Sequence, residues 1–250
     1  MAKNEVVTTE TTAVAEHTAP ALTVAVDQED MMIPFLKVIQ SLSEEVVPGK
    51  DKYNDNVRPG DIYDGVTRTI FKDTKVIICG IKKYYAEWTP EVRGTLCGKH
   101  PANSPVVLNA VKVEKTTEKG NPFYTLRTAT GNDLIETYGV VMLVKDSEGL
   151  TLPAVLTLSK TSFVVGKQLS TILAIRQMKG VPVFKLGTTS TSNTKGSWFK
   201  PSFTFDSYEE DEAVIAMAQG MTSIVDKVLF NNAVGEGGAA TISYEEDDLI

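Results

Sequence analysis

Three stretches of this sequence place an aromatic residue beside a cation on one face of a predicted strand. In the segment that runs from Lys82 to Trp88, side chains alternate between the two faces, so Lys82, Tyr84 and Trp88 share one face. The opposite face is predicted to lie in the core and carries Ile77, Cys79, Ile81 and Tyr85. Lysine neutralises phosphate, and a base stacked on an aromatic ring contributes about 1–3 kcal/mol with little sequence preference. The outer face therefore predicts binding of single-stranded nucleic acid; alternatively, Trp88 caps the rim of the core while Tyr84 shields the sheet.

The same pattern recurs twice. Trp198 and Lys200 are predicted to point outward from a strand whose core side carries Phe199, Phe203 and Phe205. In the strand that follows Asn121-Pro122, Phe123 and Arg127 are predicted to point outward, with Tyr124 and Leu126 inward. These assignments depend on strand register, and a single bulge would reverse some of them.

Two further lysines, Lys160 and Lys167, lie on or beside a predicted helix. They are candidates for phosphate contacts at the border of a groove. Solvated helix charges are the alternative interpretation.

Charge is sorted by position along the chain. Residues 31–206 contain 23 Lys/Arg and 16 Asp/Glu, a net of +7; residues 1–30 carry 1 and 6, a net of −5, and residues 207–250 carry 1 and 10, a net of −9. The three terms sum to the overall −7. A basic body between acidic ends indicates an anionic ligand and a tail that competes with it, although acidic ends also occur in proteins without such a ligand.

The elements that must position these residues are mainly strands. Val, Ile, Thr and aromatic residues are concentrated in segments separated by Gly, Asn, Pro and Lys, which favours an antiparallel sandwich or barrel. The predicted strands are Val76–Trp88, Val106–Glu114, Pro122–Thr130, Leu134–Lys145, Leu150–Leu158, Val181–Leu186 and Ser197–Phe205. A helix interrupts them, with Ser159 or Thr161 as its cap and Gly180 as its end. A second, amphipathic helix is predicted within residues 207–232, with the apolar stripe Val214, Ala218, Met221, Val225 and Val228 packed on the barrel.

The last residues form an acidic tail with an apolar end, after a flexible linker that begins at Gly235. Its residues are Glu245, Glu246, Asp247, Asp248, Leu249 and Ile250. The tail is predicted to occupy the cationic groove in place of DNA, to dock on a partner enzyme, or simply to keep the chain soluble.

Catalysis and metal binding are not expected, and no cofactor is implied. Cys97 and His100, with Cys79 as a third ligand, fall short of the four ligands of a structural zinc site. Gly166-Lys167 resembles the end of a phosphate-binding loop, but Gln168 replaces the required Ser or Thr. The sequence has only two cysteines, which favours a cytoplasmic protein. It has no apolar run of about 18 residues, so no membrane contact is expected.

The layout resembles that of bacteriophage single-stranded DNA-binding proteins. The resemblance spans residues 31–206, and the tail is its more diagnostic part. The start Ile33–Gln40, the turn Arg58-Pro59-Gly60-Asp61 and the Lys82–Trp88 strand resemble features of phage proteins found among replication genes. It implies an oligonucleotide/oligosaccharide-binding (OB-like) barrel, protection of exposed strands, and recruitment of replication or recombination enzymes. The terminal Ile250 differs from the Phe that ends the podovirus type.

The sequence thus predicts a non-catalytic protein that coats single-stranded DNA, in the host cytoplasm if phage-encoded. Its organisation is predicted to be an acidic leader (1–30), an OB-like β-barrel with an inserted helix (31–206), a C-terminal helix (207–232), and a linker with acidic tail (233–250). A homo-oligomer is compatible with this organisation. The alternatives are a self-assembling phage structural protein and a β-sandwich that binds sugars or proteins.

Overall fold

Strands dominate the computed structural model, which describes residues 33–72, 74–91, 94–116, 122–145, 151–193 and 196–231. All of these belong to one compact unit. The predicted leader (1–30) and linker with tail (233–250) lie outside the described residues. No helix in the described ranges combines the length and the apolar character needed to cross a membrane.

The described strands form one mixed sheet that curls into a half-barrel. The strands are β1 Phe35–Val38, β2 Ile62–Asp64, β3 Ile70–Phe71, β4 Thr74–Trp88, β5 Leu96–Pro101, β6 Val111–Thr116, β7 Pro122–Arg127, β8 Asp133–Lys145, β9 Thr151–Ser159, β10 Pro182–Asn193 and β11 Gly196–Tyr208. Along the main path their order is β11-β10-β4-β8-β9-β1-β2-β3, with β5 paired to β4 and the β6–β7 hairpin attached to β8. The β1–β9 pairing is parallel, whereas the other pairings are antiparallel.

Helices cover both faces of the two long central strands, β4 and β8. The helices are α1 Pro105–Leu108, α2 Phe163–Arg176, α3 Glu212–Ser223 and α4 Val225–Asn231. On one side, which we call the α2 face, Val76, Ile78, Val140 and Met142 pack with Leu169 of α2. On the other side, the α4 face, a second core lies beneath α3 and α4 and contains Ile77, Cys79, Val141, Leu143, Val225 and Leu229. Because both faces of these strands are buried, their sequences are nearly continuous runs of apolar residues.

A bulge in β4 changes which side chains face which helix. Ile78 pairs with Met142 but the next pair is Gly80 with Val141, so Cys79 is the extra residue. Because an inserted residue reverses the alternation, Ile81 returns to the α2 face although its parity matches that of Cys79. The expectation that Ile77, Cys79, Ile81 and Tyr85 share one core face is therefore wrong.

The segment after β1 is held against β11. The Gln40 side-chain amide donates to the Phe199 carbonyl and accepts from the Phe199 N–H, each at 2.9 Å, as a neighbouring strand would. Thr188 Oγ1 donates to the Gly60 carbonyl at 2.7 Å. Gly60 has φ +93°, and a Cβ there would lie 2.8 Å from the Phe199 ring, so this turn requires glycine. These contacts join a distant part of the strand path to the β10–β11 hairpin.

Most predicted elements are confirmed, with boundary changes. Val106–Glu114 is the exception among strands: it divides into α1, whose N-terminus is capped by the Ser104 side chain, and β6. Neither Ser159 nor Thr161 caps α2, because Ser162 occupies that position. The C-terminal helix breaks at Ile224 into α3 and α4, and its predicted apolar stripe packs on the sheet.

Candidate nucleic-acid interface

The face of β4 predicted to bind nucleic acid lies under α4. Lys82 Nζ lies 2.5 Å from Asp226 Oδ1 of α4. Tyr84 is only 1% exposed, and its ring packs edge-to-face on Phe230, with 5.9 Å between ring centroids. Tyr84 is therefore a core residue, and its assignment as a base-stacking residue is wrong. The sequence predicts a helix in this part of the chain, but Phe230, which packs on Tyr84, is not in the predicted apolar stripe.

Close approach of α4 explains this burial. A Cβ at Gly80 would lie 2.5 Å from Val225 Cγ2, and one at Gly139 would lie 2.5 Å from Leu229 Cδ2. Glycine at these two sheet positions lets the helix backbone come close. The α4 face near Tyr84 is consequently closed to a ligand.

Trp88, Arg127 and Phe123 extend the same sheet face toward the β6–β7 hairpin. Trp88 pairs with Asp133 of β8, which pairs in turn with Arg127 of β7. Arg127 Nη2 lies 2.9 Å from Asp133 Oδ1 and is one-third exposed; Lys115 Nζ lies 3.2 Å from Asp133 Oδ2, so the two cations share one carboxylate. Phe123 and Trp88 are half-buried.

Tyr124 of β7, predicted to point inward to the core, is not buried. This residue is 64% exposed, although the alternation predicted it inward. The hairpin extends past β8, with which β7 pairs only at Leu126 and Arg127, so there is no core beneath Tyr124.

The α2 face carries a cluster that the sequence argument did not select. Lys83 Nζ lies 2.7 Å from Glu136 Oε1, and the Tyr85 hydroxyl donates to the same oxygen at 3.0 Å. Lys83 Nζ also lies 5.5 Å from the centroid of the Tyr85 ring. Lys83 is exposed and Tyr85 is half-buried, so this cation–aromatic pair reaches the surface.

Electrostatics link this cluster to α2. Burial by itself would raise the pKa of Glu136, but hydrogen bonds from Lys83 and Tyr85 and the charge of Lys167 hold that pKa below its ordinary value. Lys167 is exposed, and its Nζ lies 5.1 Å from the centroid of the Phe163 ring one turn earlier. The first turns of α2 therefore add a second cation–aromatic pair beside the first.

Lys160 lies in the 3-10 helix Lys160–Ser162, which packs against both β8 and β11. Its φ is +49°, a left-handed conformation that costs a non-glycine residue about 1–2 kcal/mol. This short helix joins the Glu136 region of β8 to the strand that carries the remaining predicted residues.

Trp198 and Lys200 lie at the start of β11. Lys200 Nζ lies 5.6 Å from the centroid of the Trp198 ring. Lys200 also lines a cavity of about 230 Å³ between α2 and the β10–β11 hairpin, opposite Gln168 and Ile172 of α2. Trp198 is half-buried, and its Nε1 is shielded from solvent with no hydrogen-bond partner among the described residues.

The predicted residues thus separate into two groups. Around α2 the structure gathers Lys160, Lys167 and Lys200, together with the unpredicted Lys83 and Tyr85, and Trp198 lies beside Lys200 on β11. On the α4 face lie Lys82, Tyr84, Trp88, Phe123 and Arg127. The three aromatic residues are buried or half-buried, and the two cations each have an acidic partner. The residues predicted to bind a partner, Glu245–Ile250, lie outside the described residues.

A sequence signal for the α2 group exists. From Gly149 to Phe205 the chain contains no Asp or Glu but seven Lys or Arg. This interval supplies β9, α2, β10 and most of β11, so the charge asymmetry of the whole body is concentrated around α2. Glu136, which lies near α2, belongs to β8 and so lies outside this interval of the sequence.

No other chemistry stands out in the described part of the chain. Within it, no three His, Cys, Asp or Glu side chains meet in a way that could hold a metal ion. His100 Nε2 lies 2.7 Å from Glu87 Oε2, and the Asn132 amide donates to the other oxygen of Glu87 at 2.8 Å. Burial would raise the pKa of Glu87, but these hydrogen bonds lower it overall.

Comparison with known proteins identifies a phage family. No curated protein and no solved structure is significantly similar to the chain. The family model described as Pam3 phage gp34-like protein matches residues 7–228, which is most of the chain. The chain therefore belongs to the Pam3 phage gp34-like protein family.

Proposed function

We propose that this phage protein binds single-stranded DNA on its α2 face and coats strands exposed during replication or recombination. The observation that carries the proposal is a group of cation–aromatic pairs: Lys83 with Tyr85 and Lys167 with Phe163 beside α2, and Lys200 with Trp198 on β11. Lys160, between β8 and β11, adds a fourth cation. We interpret the curled sheet as OB-like, with the ligand crossing it beside α2.

The chemistry of these pairs suits an unpaired strand. Ammonium groups neutralise phosphates, while aromatic rings stack on bases that a duplex would keep stacked on each other. The scarcity of carboxylates between Gly149 and Phe205 leaves this charge largely uncompensated along the sequence. Glu136 opposes it locally and competes with phosphate for Lys83.

The acidic tail fits the same proposal. We propose that Glu245–Ile250 recruits replication or recombination enzymes through its charges and apolar end, and that it competes with DNA for the cationic surface. Both interactions are electrostatic and weaken as salt is added. Because the tail is part of this proposal, the binding test uses the full chain.

A titration tests the proposal directly. Full-length protein is added to fluorescein-labelled oligo-dT, and anisotropy is followed at several salt concentrations, with duplex of equal length for comparison. The proposal predicts tighter binding to the single strand and a log–log salt slope of about −0.7 for each phosphate neutralised. Absence of binding to oligo-dT at low salt would contradict it and favour a structural role.

Two lysine variants locate the surface. Lys167→Ala removes an exposed cation from the α2 face, and Lys82→Ala removes one from the α4 face. The proposal predicts weaker binding and a smaller salt slope for Lys167→Ala alone. Equal losses in both variants would place the DNA elsewhere or indicate non-specific attraction.

A further inference from the structure

We propose that β6 pairs with β6 of a second copy, in antiparallel orientation, to join two sheets into one. Among the described strands, β6 pairs only with β7, so its outer edge is open. The ribbon is anchored weakly, because β7 pairs with β8 at only two positions. An open edge presents unpaired N–H and C=O groups, which another strand can satisfy.

Of the usual protections of an edge strand, β6 carries charged side chains but neither a proline nor a bulge. Val111-Lys112-Val113-Glu114-Lys115-Thr116 contains neither Pro nor Gly, and its register with β7 has no bulge. Leu108 and Val111, at the start of the ribbon, are 70% and 59% exposed. A second chain at this edge would remove part of that apolar surface from water.

Charge complementarity identifies the second strand as another copy of β6. In an antiparallel pair centred on Val113, each Lys112 lies opposite Glu114 of the second copy, and the two Val113 residues oppose each other. Both Lys112 and Glu114 are exposed, and neither has an ion-pair partner within the described part of the chain. The match occurs twice because such an interface is symmetric, with the same patch on both subunits. Opposite charges directly across an antiparallel pair stabilise it, whereas like charges destabilise it.

Charge-swap variants test the pairing without DNA present. Sedimentation velocity over a concentration series measures self-association of the wild type, of Lys112→Glu, of Glu114→Lys and of the double variant. Each single change places like charges opposite each other twice, so it should weaken self-association by about tenfold or more. The double variant restores both opposite-charge contacts and should associate as the wild type does. Lys50→Glu, in an exposed turn, is the control and should have no effect.

A mixing experiment separates lost pairing from lost folding. An equimolar mixture of Lys112→Glu and Glu114→Lys places opposite charges at both cross-strand positions, so heterodimers should form although neither variant pairs with itself. A wild type that stays monomeric at every concentration would overturn the proposal. So would a dimer that is unaffected by the single changes, or a mixture that fails to associate although both variants melt cooperatively.

Discussion

Lys83 Nζ and Glu136 Oε1 lie 2.7 Å apart on the α2 face, so this cation of the proposed DNA surface already has an anionic partner. Both side chains are more than one-third exposed, and such a pair is worth little to stability. Phosphate can therefore displace the carboxylate at small cost.

Replacing this carboxylate should strengthen DNA binding. Glu136→Gln keeps an acceptor for Tyr85 and removes the charge that competes with phosphate, so affinity for oligo-dT should rise roughly two- to fivefold. The matched control is Asp226→Asn, which removes the carboxylate paired with Lys82 on the α4 face and should leave affinity unchanged. Weaker binding of Glu136→Gln would contradict the assignment of this cluster.

Replacing Lys160 by glycine removes the cationic side chain and also relieves the strain of a left-handed backbone conformation. Because φ is +49° at this position, Lys160→Gly should raise the melting temperature or leave it unchanged, while DNA binding weakens and the salt slope falls by about 0.7. Arg68→Gly is the control, since the exposed Arg68 has φ +60° in the turn between β2 and β3. It should gain similar stability without a change in affinity. Unchanged affinity of Lys160→Gly would remove Lys160 from the surface.

Close packing of α4 on β4 should be sensitive to one methyl group. Gly80→Ala places a Cβ 2.5 Å from Val225 Cγ2, and Val is stiff at χ1, so we expect a loss of about 1–3 kcal/mol in the free energy of unfolding. The control is Gly187→Ala, where the nearest atom is Ser202 Oγ at 3.5 Å. Urea denaturation compares the two, and equal stability of both variants would contradict the close contact described for α4.

The two cysteines should differ in reactivity. Burial raises the pKa of the Cys79 thiol from 9.0 to about 12, so its nucleophilic thiolate is scarce in the folded protein at pH 8. Cys97 is exposed. Thiol titration at pH 8 should therefore count one reactive group per folded chain and two in denaturant. Two fast groups in the folded protein would show that the α4 face opens readily.

The sequence predicted the strands well because β4, β8 and β9 are long, apolar and rich in branched residues. Their side-chain directions were harder to predict. The bulge at Cys79 reverses the alternation within β4, and α4 covers the face that the pattern marked as outer. Both errors arise from tertiary packing, which the alternation of side chains along a strand does not reveal.

The candidate site was predicted in part for the same reason. The roles of Lys160, Lys167, Trp198 and Lys200 as DNA contacts stay predictions, whereas Tyr84 was assigned to the wrong environment. Lys83 and Tyr85 were passed over because they have the opposite parity to Tyr84. The acid-free interval from Gly149 to Phe205 would have pointed to the α2 face without any assumption about register.

Tryptophan fluorescence tests the central claim most directly, because the chain has two tryptophans and the account places only one beside the DNA. In Trp88→Phe, the remaining Trp198 emission should be quenched by oligo-dT at low salt and recover as salt is added; in Trp198→Phe, Trp88 emission should change little. Quenching confined to Trp88, or no quenching of either tryptophan, would contradict binding on the α2 face.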